Sequence, residues 1–247
     1  MTMRAFTRIL PSRVSVAKFS PVIFGGKDPL LKDLKAYWKL DEASGDRLDS
    51  VGNNHLSDAG ACTQQTGIID HAIGSDGTST AFLSASAQAA INVGVFDWSY
   101  LFWSYFLDAD LNYVPISKGN SLSANDFSYA LYRSGTSGST RLYFGTPTGT
   151  TNSVIGTTSS LAWHMLYVFY DAANDLFGGS IDNSEIQADE FGDTFVTDTF
   201  AFKVHKLAGG TSMHGYTDEL GFWKRLLTAD ELTYLYNSGA GRTYPFR

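Results

Sequence analysis

Cysteine is almost missing from this chain. Cys62 stands alone among 247 residues, so no internal disulfide can form and no oxidising compartment is implied. Proline is scarce too, six in all, and three of them (Pro11, Pro21, Pro29) punctuate the first stretch of the chain. Charged residues make up only 17%, which excludes the highly charged, weakly apolar composition of a disordered protein. Long apolar runs are absent. None approaches the ~20 residues of a membrane span. Near the N-terminus the longest apolar run is Val22–Phe24, far short of the ~7–15 residues of a signal-peptide core. The expectation is a protein made in a cytoplasm, with no membrane partner.

What is present points to strands. Hydrophobic residues reach 43% and aromatics 14%, with 17 Phe, 13 Tyr and 24 Gly, a mixture suited to many short strands joined by turns. The net charge of −7 conceals an asymmetry. Arg4, Arg8, Arg13, Lys18 and Lys27 give residues 1–27 five positive charges and no acid. The remaining 13 bases and all 25 acids make the body −12, so nucleic acid is excluded as a partner of that body.

Residues 1–32 read as an extended basic arm and 33–247 as one domain. Within the arm, Val14 and Val16 alternate as in a strand, and Val22, Ile23 and Phe24 supply apolar anchors. From Leu34 the strand candidates come thickly: Leu34–Leu40, Ala89–Val93, Tyr100–Leu107, Ser128–Tyr132, Arg141–Gly145, Met165–Tyr170, Leu176–Ile181, Phe200–Leu207 and Gly215–Trp223. One helix is expected after Thr228. Thr228 and Glu231 form a capping box, Leu232, Leu235 and Tyr236 line one face, and Gly239 stands where a C-terminal cap belongs.

Four segments, in order, carry a family resemblance: AYWKLDEASGDRLDSVGNN (36–54), LFWSYF (101–106), Trp163-His164 with YVFYD (167–171), and GYTDELGFWKRLLTADELTYLYNSG (215–239). Together they resemble the laminin-G-like branch of the concanavalin A-like lectin/glucanase superfamily. The pattern departs from that family at FGGSIDN (177–183) and GTSTAFLSASA (77–87). The resemblance implies an all-β jelly-roll sandwich of two antiparallel sheets with one short C-terminal helix. Leu40, Trp103, Phe106, Val168, Leu220 and Leu235 are then expected in one continuous core between the sheets.

Glucanases of this superfamily carry paired carboxylates on one strand face. The nearest candidate, Glu185 with Asp189 and Glu190, has the wrong spacing, and strand alternation would point the adjacent Asp218 and Glu219 to opposite faces. The five histidines show no metal-ligand spacing. The expectation is therefore no enzymatic activity. The resemblance further implies a structural calcium, for which Asp41, Asp46, Asp49, Asn53 and Asp218 offer hard oxygen ligands. Trp98, Tyr113, Tyr129, Tyr132 and Tyr143 are candidates for a glycan platform. By architecture and context, a jelly roll behind a basic arm also resembles structural proteins of tailed bacteriophages. That implies a virion component, in capsid decoration or in a tail or fibre. It would be present in many copies and held to a capsid or other virion protein by Arg4, Arg8, Arg13, Val14, Val16, Lys18, Val22, Ile23 and Phe24. A lectin recognising host glycan is the alternative reading.

Overall fold

The short alternating segments become fifteen strands in a computed structural model, which describes residues 28–246 apart from Ala61, Ser79, Thr197 and 208–211. In chain order these are β1 (Leu34–Trp38), β2 (Ser57–Asp58), β3 (Thr63–Thr66), β4 (His71–Asp76), β5 (Leu83–Ala85), β6 (Trp98–Phe106), β7 (Ile116–Gly119) and β8 (Phe127–Arg133). They continue with β9 (Ser139–Gly145), β10 (Thr150–Thr157), β11 (Trp163–Asp171), β12 (Leu176–Ile181), β13 (Gln187–Glu190), β14 (Phe202–Val204) and β15 (His214–Trp223). One sheet has the order β13-β12-β11-β6-β15-β4-β3, with β1 pairing β15 beyond the end of β4; the other runs β10-β9-β8-β7-β14-β5-β2. Every pairing is antiparallel. This is the expected two-sheet jelly roll. The anchoring residues expected in the arm, from Arg4 to Phe24, lie outside the described residues.

Ala89–Val93, expected as a strand, instead contains a 3₁₀ turn over Ala89–Ile91, closed by the Ile91 amide on the Gln88 carbonyl at 3.0 Å. The expectation of one core also needs correcting. Leu40, Phe106, Val168 and Leu220 do lie between the sheets, beside Trp38 stacked on Phe202 at 5.5 Å. Trp103 and Leu235 belong to a second cluster with Leu101, Met165, Tyr167 and Trp223. Period-2 alternation explains the division. Along β6, Trp98, Tyr100, Phe102 and Phe106 face the other sheet, whereas Leu101, Trp103 and Tyr105 face outward. Part of that outward face is covered by α1 (Ala229–Tyr236), the one α-helix among the described residues, and by the C-terminal segment that includes Phe246. A strand apolar on both faces, such as WSYLFWSYF, is the sequence trace of a strand covered on both sides.

The α1 capping box forms as read: Thr228 Oγ1 accepts from the Glu231 amide at 3.2 Å, and Glu231 accepts from the Thr228 amide at 2.9 Å. At the other end the left-handed cap is Asn237 (φ 48°), two residues earlier than Gly239, because Asn tolerates that conformation. No helix among the described residues is long and apolar enough to cross a membrane.

Candidate functional site

Helix α1 and the tail cover only part of the outer face of the first sheet. Beyond them β11, β6 and β15 present Trp163, Tyr105 and Tyr216, each only partly buried. The ladder sets these residues side by side, Trp163 opposite Tyr105 and Tyr105 opposite Tyr216. Their rings gather into a compact group. Tyr105 stacks on Tyr216 at 5.4 Å, meets Trp163 edge-on at 5.6 Å, and Trp163 lies 6.4 Å from Tyr216. The next residue in the row is Gly74 on β4. A Cβ there would fall 3.2 Å from the Tyr216 ring and 2.5 Å from Gln65 Cγ, so only glycine lets both side chains lie over this point. Polar groups share the face: Gln65 donates to Thr63 Oγ1 at 3.0 Å, and the partly exposed His214 lies 2.5 Å from Asp108.

The aromatic group grades into the covered region through Trp163, which packs against the second core cluster, where Tyr236 stacks on Trp103 at 5.8 Å. Beside α1 opens a cleft of about 530 Å³, lined by Asn183, Asp230, Thr233, Tyr234, Asn237 and Arg242. The Arg242 guanidinium sits 4.0 Å over the Tyr234 ring, donates to the Tyr234 carbonyl at 2.9 Å and to Asn237 Oδ1 at 3.2 Å. It is thus held in place beside an acid, amides and a hydroxyl, the hydrogen-bonding vocabulary that polar ligands require.

The rings expected to form a glycan platform divide differently. Trp98, Tyr113 and Tyr129 are fully buried, with Trp98 and Tyr129 packed together at 5.5 Å, and cannot meet a ligand; strand register turns them inward. Tyr132 and Tyr143 do lie on an outer face, that of the second sheet, edge-to-face at 5.9 Å and partly exposed. Arg141 neighbours them, donating to Asn152 at 3.0 Å. Sequence reading passed over Tyr105, Trp163 and Tyr216, although all three lie in the segments that carry the family resemblance. The available signal was parity: each sits out of phase with its strand's inward residues.

The set offered for calcium does not fit such a site. Asp49 is buried, and its carboxylate accepts from the amides of Tyr37 (3.0 Å), Val51 (2.9 Å) and Asn54 (3.1 Å) and from the Asn54 side chain (2.7 Å). Burial pushes its pKa up, but the Tyr37 and Val51 amides outweigh that and hold it below the usual range. Asp49 is therefore the organiser of the 49–54 turn. Asp46 and Asn53 are exposed, Asp41 accepts from the His71 amide at 3.1 Å, and Asp218 is engaged by the Ile69 amide at 3.1 Å. No metal-holding group of His, Cys, Asp or Glu occurs among the described residues.

Asp218 and Glu219 hold a surprise. A bulge in β15 between Asp218 and Gly221, with Glu219 at φ 51°, breaks the alternation expected of adjacent strand residues. Both carboxylates are buried, and both act on the Tyr37 hydroxyl, which donates to Glu219. Burial, then the neighbouring Glu219 charge, raises the Asp218 pKa to about 9; burial raises that of Glu219 to about 7. Closed beneath the C-terminal segment, the pair is not laid out as an open acid–base site. Glu185, Asp189 and Glu190 are exposed on or beside the edge strand β13.

No protein-family model matches the sequence, and no curated protein matches it. Solved structures do. The binding domain of Paraclostridial Mosquitocidal Protein 1 superposes with a TM-score of 0.70 at 14% identity, over 85% of this chain and 53% of that one. Domain 4 of AbnA, a GH43 extracellular arabinanase from Geobacillus stearothermophilus, in complex with arabinotriose, gives 0.64 at 18% identity, over 81% of this chain and 97% of that one. The binding domain of botulinum neurotoxin serotype G gives 0.67 at 11% identity, over 83% and 51%. The chain thus spans about half the length of the two toxin binding domains and nearly all of the arabinanase domain. At such identities the likeness is one of fold: a jelly-roll β-sandwich.

Proposed function

We propose that this chain is a glycan-binding module whose ligand lies across Tyr105, Trp163 and Tyr216. The observation that carries the reading is this group of three partly exposed rings on the central strands of a sheet. Sugar rings present apolar C–H faces that pack on aromatic faces, and their hydroxyls need fixed polar partners at the edge. Gln65, Thr63, His214 and Asp108 supply partners on the same face, and the Arg242 cleft supplies more beside α1. The arabinotriose complex of the arabinanase domain supports the reading, since a domain of this fold and nearly this extent holds a saccharide. We further propose that the module acts by binding, without turnover.

The virion reading rests on residues 1–30, of which 1–27 lie outside the described residues, and on a resemblance of architecture. The glycan reading rests on rings in the described fold and takes precedence. A glycan microarray with the full chain, followed by titration of the hits, tests it. Tyr105→Ala and Trp163→Ala should each weaken binding at least about tenfold, the worth of one stacking contact, with the circular dichroism spectrum unchanged. Retained affinity in both variants, with loss in Tyr132→Ala, would move the site to the second sheet. Absence of any glycan hit would remove the proposal.

A further inference from the structure

Lys118 lies on the inner face of β7, where a charge is out of place. Its side chain is fully buried, and its register partner on β14 is the core residue Phe202. Three acceptors surround the amine: Asp198 Oδ2 at 2.9 Å, Asn92 Oδ1 at 2.8 Å and the Ile91 carbonyl at 3.4 Å. Asp198 is almost as buried and is held from two further sides, by the Val93 amide at 2.8 Å and the Ser128 hydroxyl at 3.0 Å. Aromatic residues close the surroundings; the Tyr100 and Tyr129 rings lie 5.5 Å apart, and both feel the Asp198 charge. Burial lowers the Lys118 pKa, with Asp198 opposing. A partly buried carboxamide thus meets a buried amine and a buried carboxylate.

We propose that Lys118 and Asn92 become joined by an intramolecular isopeptide bond, formed by the pocket itself with Asp198 as proton carrier. Between the two buried side chains a proton passes from the ammonium to Asp198, leaving a lone pair on Nζ, the form in which a lysine is nucleophilic. That pair attacks Asn92 Cγ, forming the Nζ–Cγ bond and moving the carbonyl π pair onto Oδ1. On collapse the Cγ–Nδ2 bond breaks and Nδ2 takes the bonding pair. Asp198 gives its proton to Nδ2 and takes a second one from Nζ, so the leaving group departs as ammonia. That second proton then passes to the ammonia, which leaves as ammonium, so Asp198 ends ionised and one N–H remains on the new amide. Nothing is oxidised or reduced, and no co-reactant is needed. Held neighbours react as one molecule, which is what buries the entropic cost of meeting.

The bond would have structural meaning independent of any glycan. Asn92 and Lys118 are 26 positions apart, and the chain between them contains β6, the central strand of the opposite sheet. The link would close a loop through both layers of the sandwich.

Intact-mass spectrometry of the purified, denatured full chain tests this. The expected mass is about 17 Da below that of the sequence, one ammonia. Trypsin should fail to cut after Lys118, and chymotrypsin, which cuts at the aromatic residues between, should leave the Asn92 and Lys118 peptides joined. Asp198→Asn should restore the full mass. A wild-type mass equal to the sequence overturns the proposal, as does a loss confined to Asn92 as a succinimide with Lys118 still cleaved. A loss of about 18 Da joining Lys118 to Asp198 overturns it too. The wild-type measurement decides the question even if the variant fails to fold.

Discussion

Replacing Glu219 by Gln should stabilise this domain at alkaline pH and leave it nearly unchanged in acid. The ordinary pKa of 4.5 rises to about 7 in the folded state, chiefly through burial. At ~1.4 kcal/mol per unit, ionising Glu219 in place costs about 3 kcal/mol. The sign follows from proton counting. Between pH 4.5 and 7 the folded chain holds a proton on Glu219 that the unfolded chain has lost, so stability is full below 4.5 and declines as pH rises through 7. Asp218, raised to about 9, declines in the same direction over a wider span. His205 runs the opposite way. Its burial depresses the pKa from 6.5 to about 3, so its contribution is present above 6.5 and lost in acid. Because His205 is common to both proteins, it cancels in the difference between them. Gln preserves a carbonyl acceptor for the Tyr37 hydroxyl and removes only the charge. Urea titrations at pH 5, 6, 7 and 8 should show the variant gaining on the wild type, by up to about 3 kcal/mol at pH 8. Parallel pH profiles, or a variant less stable at pH 8, would refute the argument that burial governs this carboxyl.

Two further outcomes separate core from surface and turn from metal site. Tyr129→Ala should cost about 3–5 kcal/mol in urea denaturation, as for other large buried side chains. Tyr132→Ala, on the outer face, should cost clearly less in the same assay. Asp49→Ala leaves buried amides of Tyr37 and Asn54 without their acceptor and should cost about 2–4 kcal/mol. Chelator, in contrast, should leave the wild-type Tm unmoved; a fall on adding EDTA, reversed by calcium, would mean that a cation is held after all.

How much of this was legible beforehand depended on the range of the interactions involved. The first-strand motif, the capping box and the strands β8 and β9 are local matters of turn chemistry, alternation and capping, and each formed where the residues placed it. The two-sheet sandwich followed from strand-like segments in family order. Asp49 was singled out from the sequence as a ligand, because a carboxylate in a turn looks the same whether it binds a cation or backbone amides. Only the folded turn shows that its oxygens are already taken.

The amino-acid order by itself determined an all-β domain, its short C-terminal helix and the strands that carry most of its aromatic residues. Tertiary structure decided which of those rings are available. Trp98 and Tyr105 lie on the same strand seven positions apart, and their opposite parity becomes meaningful only when one face meets a second sheet and the other meets a helix too short to cover it. It also decided that the β15 bulge brings Asp218 and Glu219 together beneath the tail, against the rule of alternation. Residues 26 and 80 positions from Lys118, at Asn92 and Asp198, converge on one buried amine. Local preference cannot specify such meetings, because they arise when two sheets close over each other and exclude water from whatever lies between.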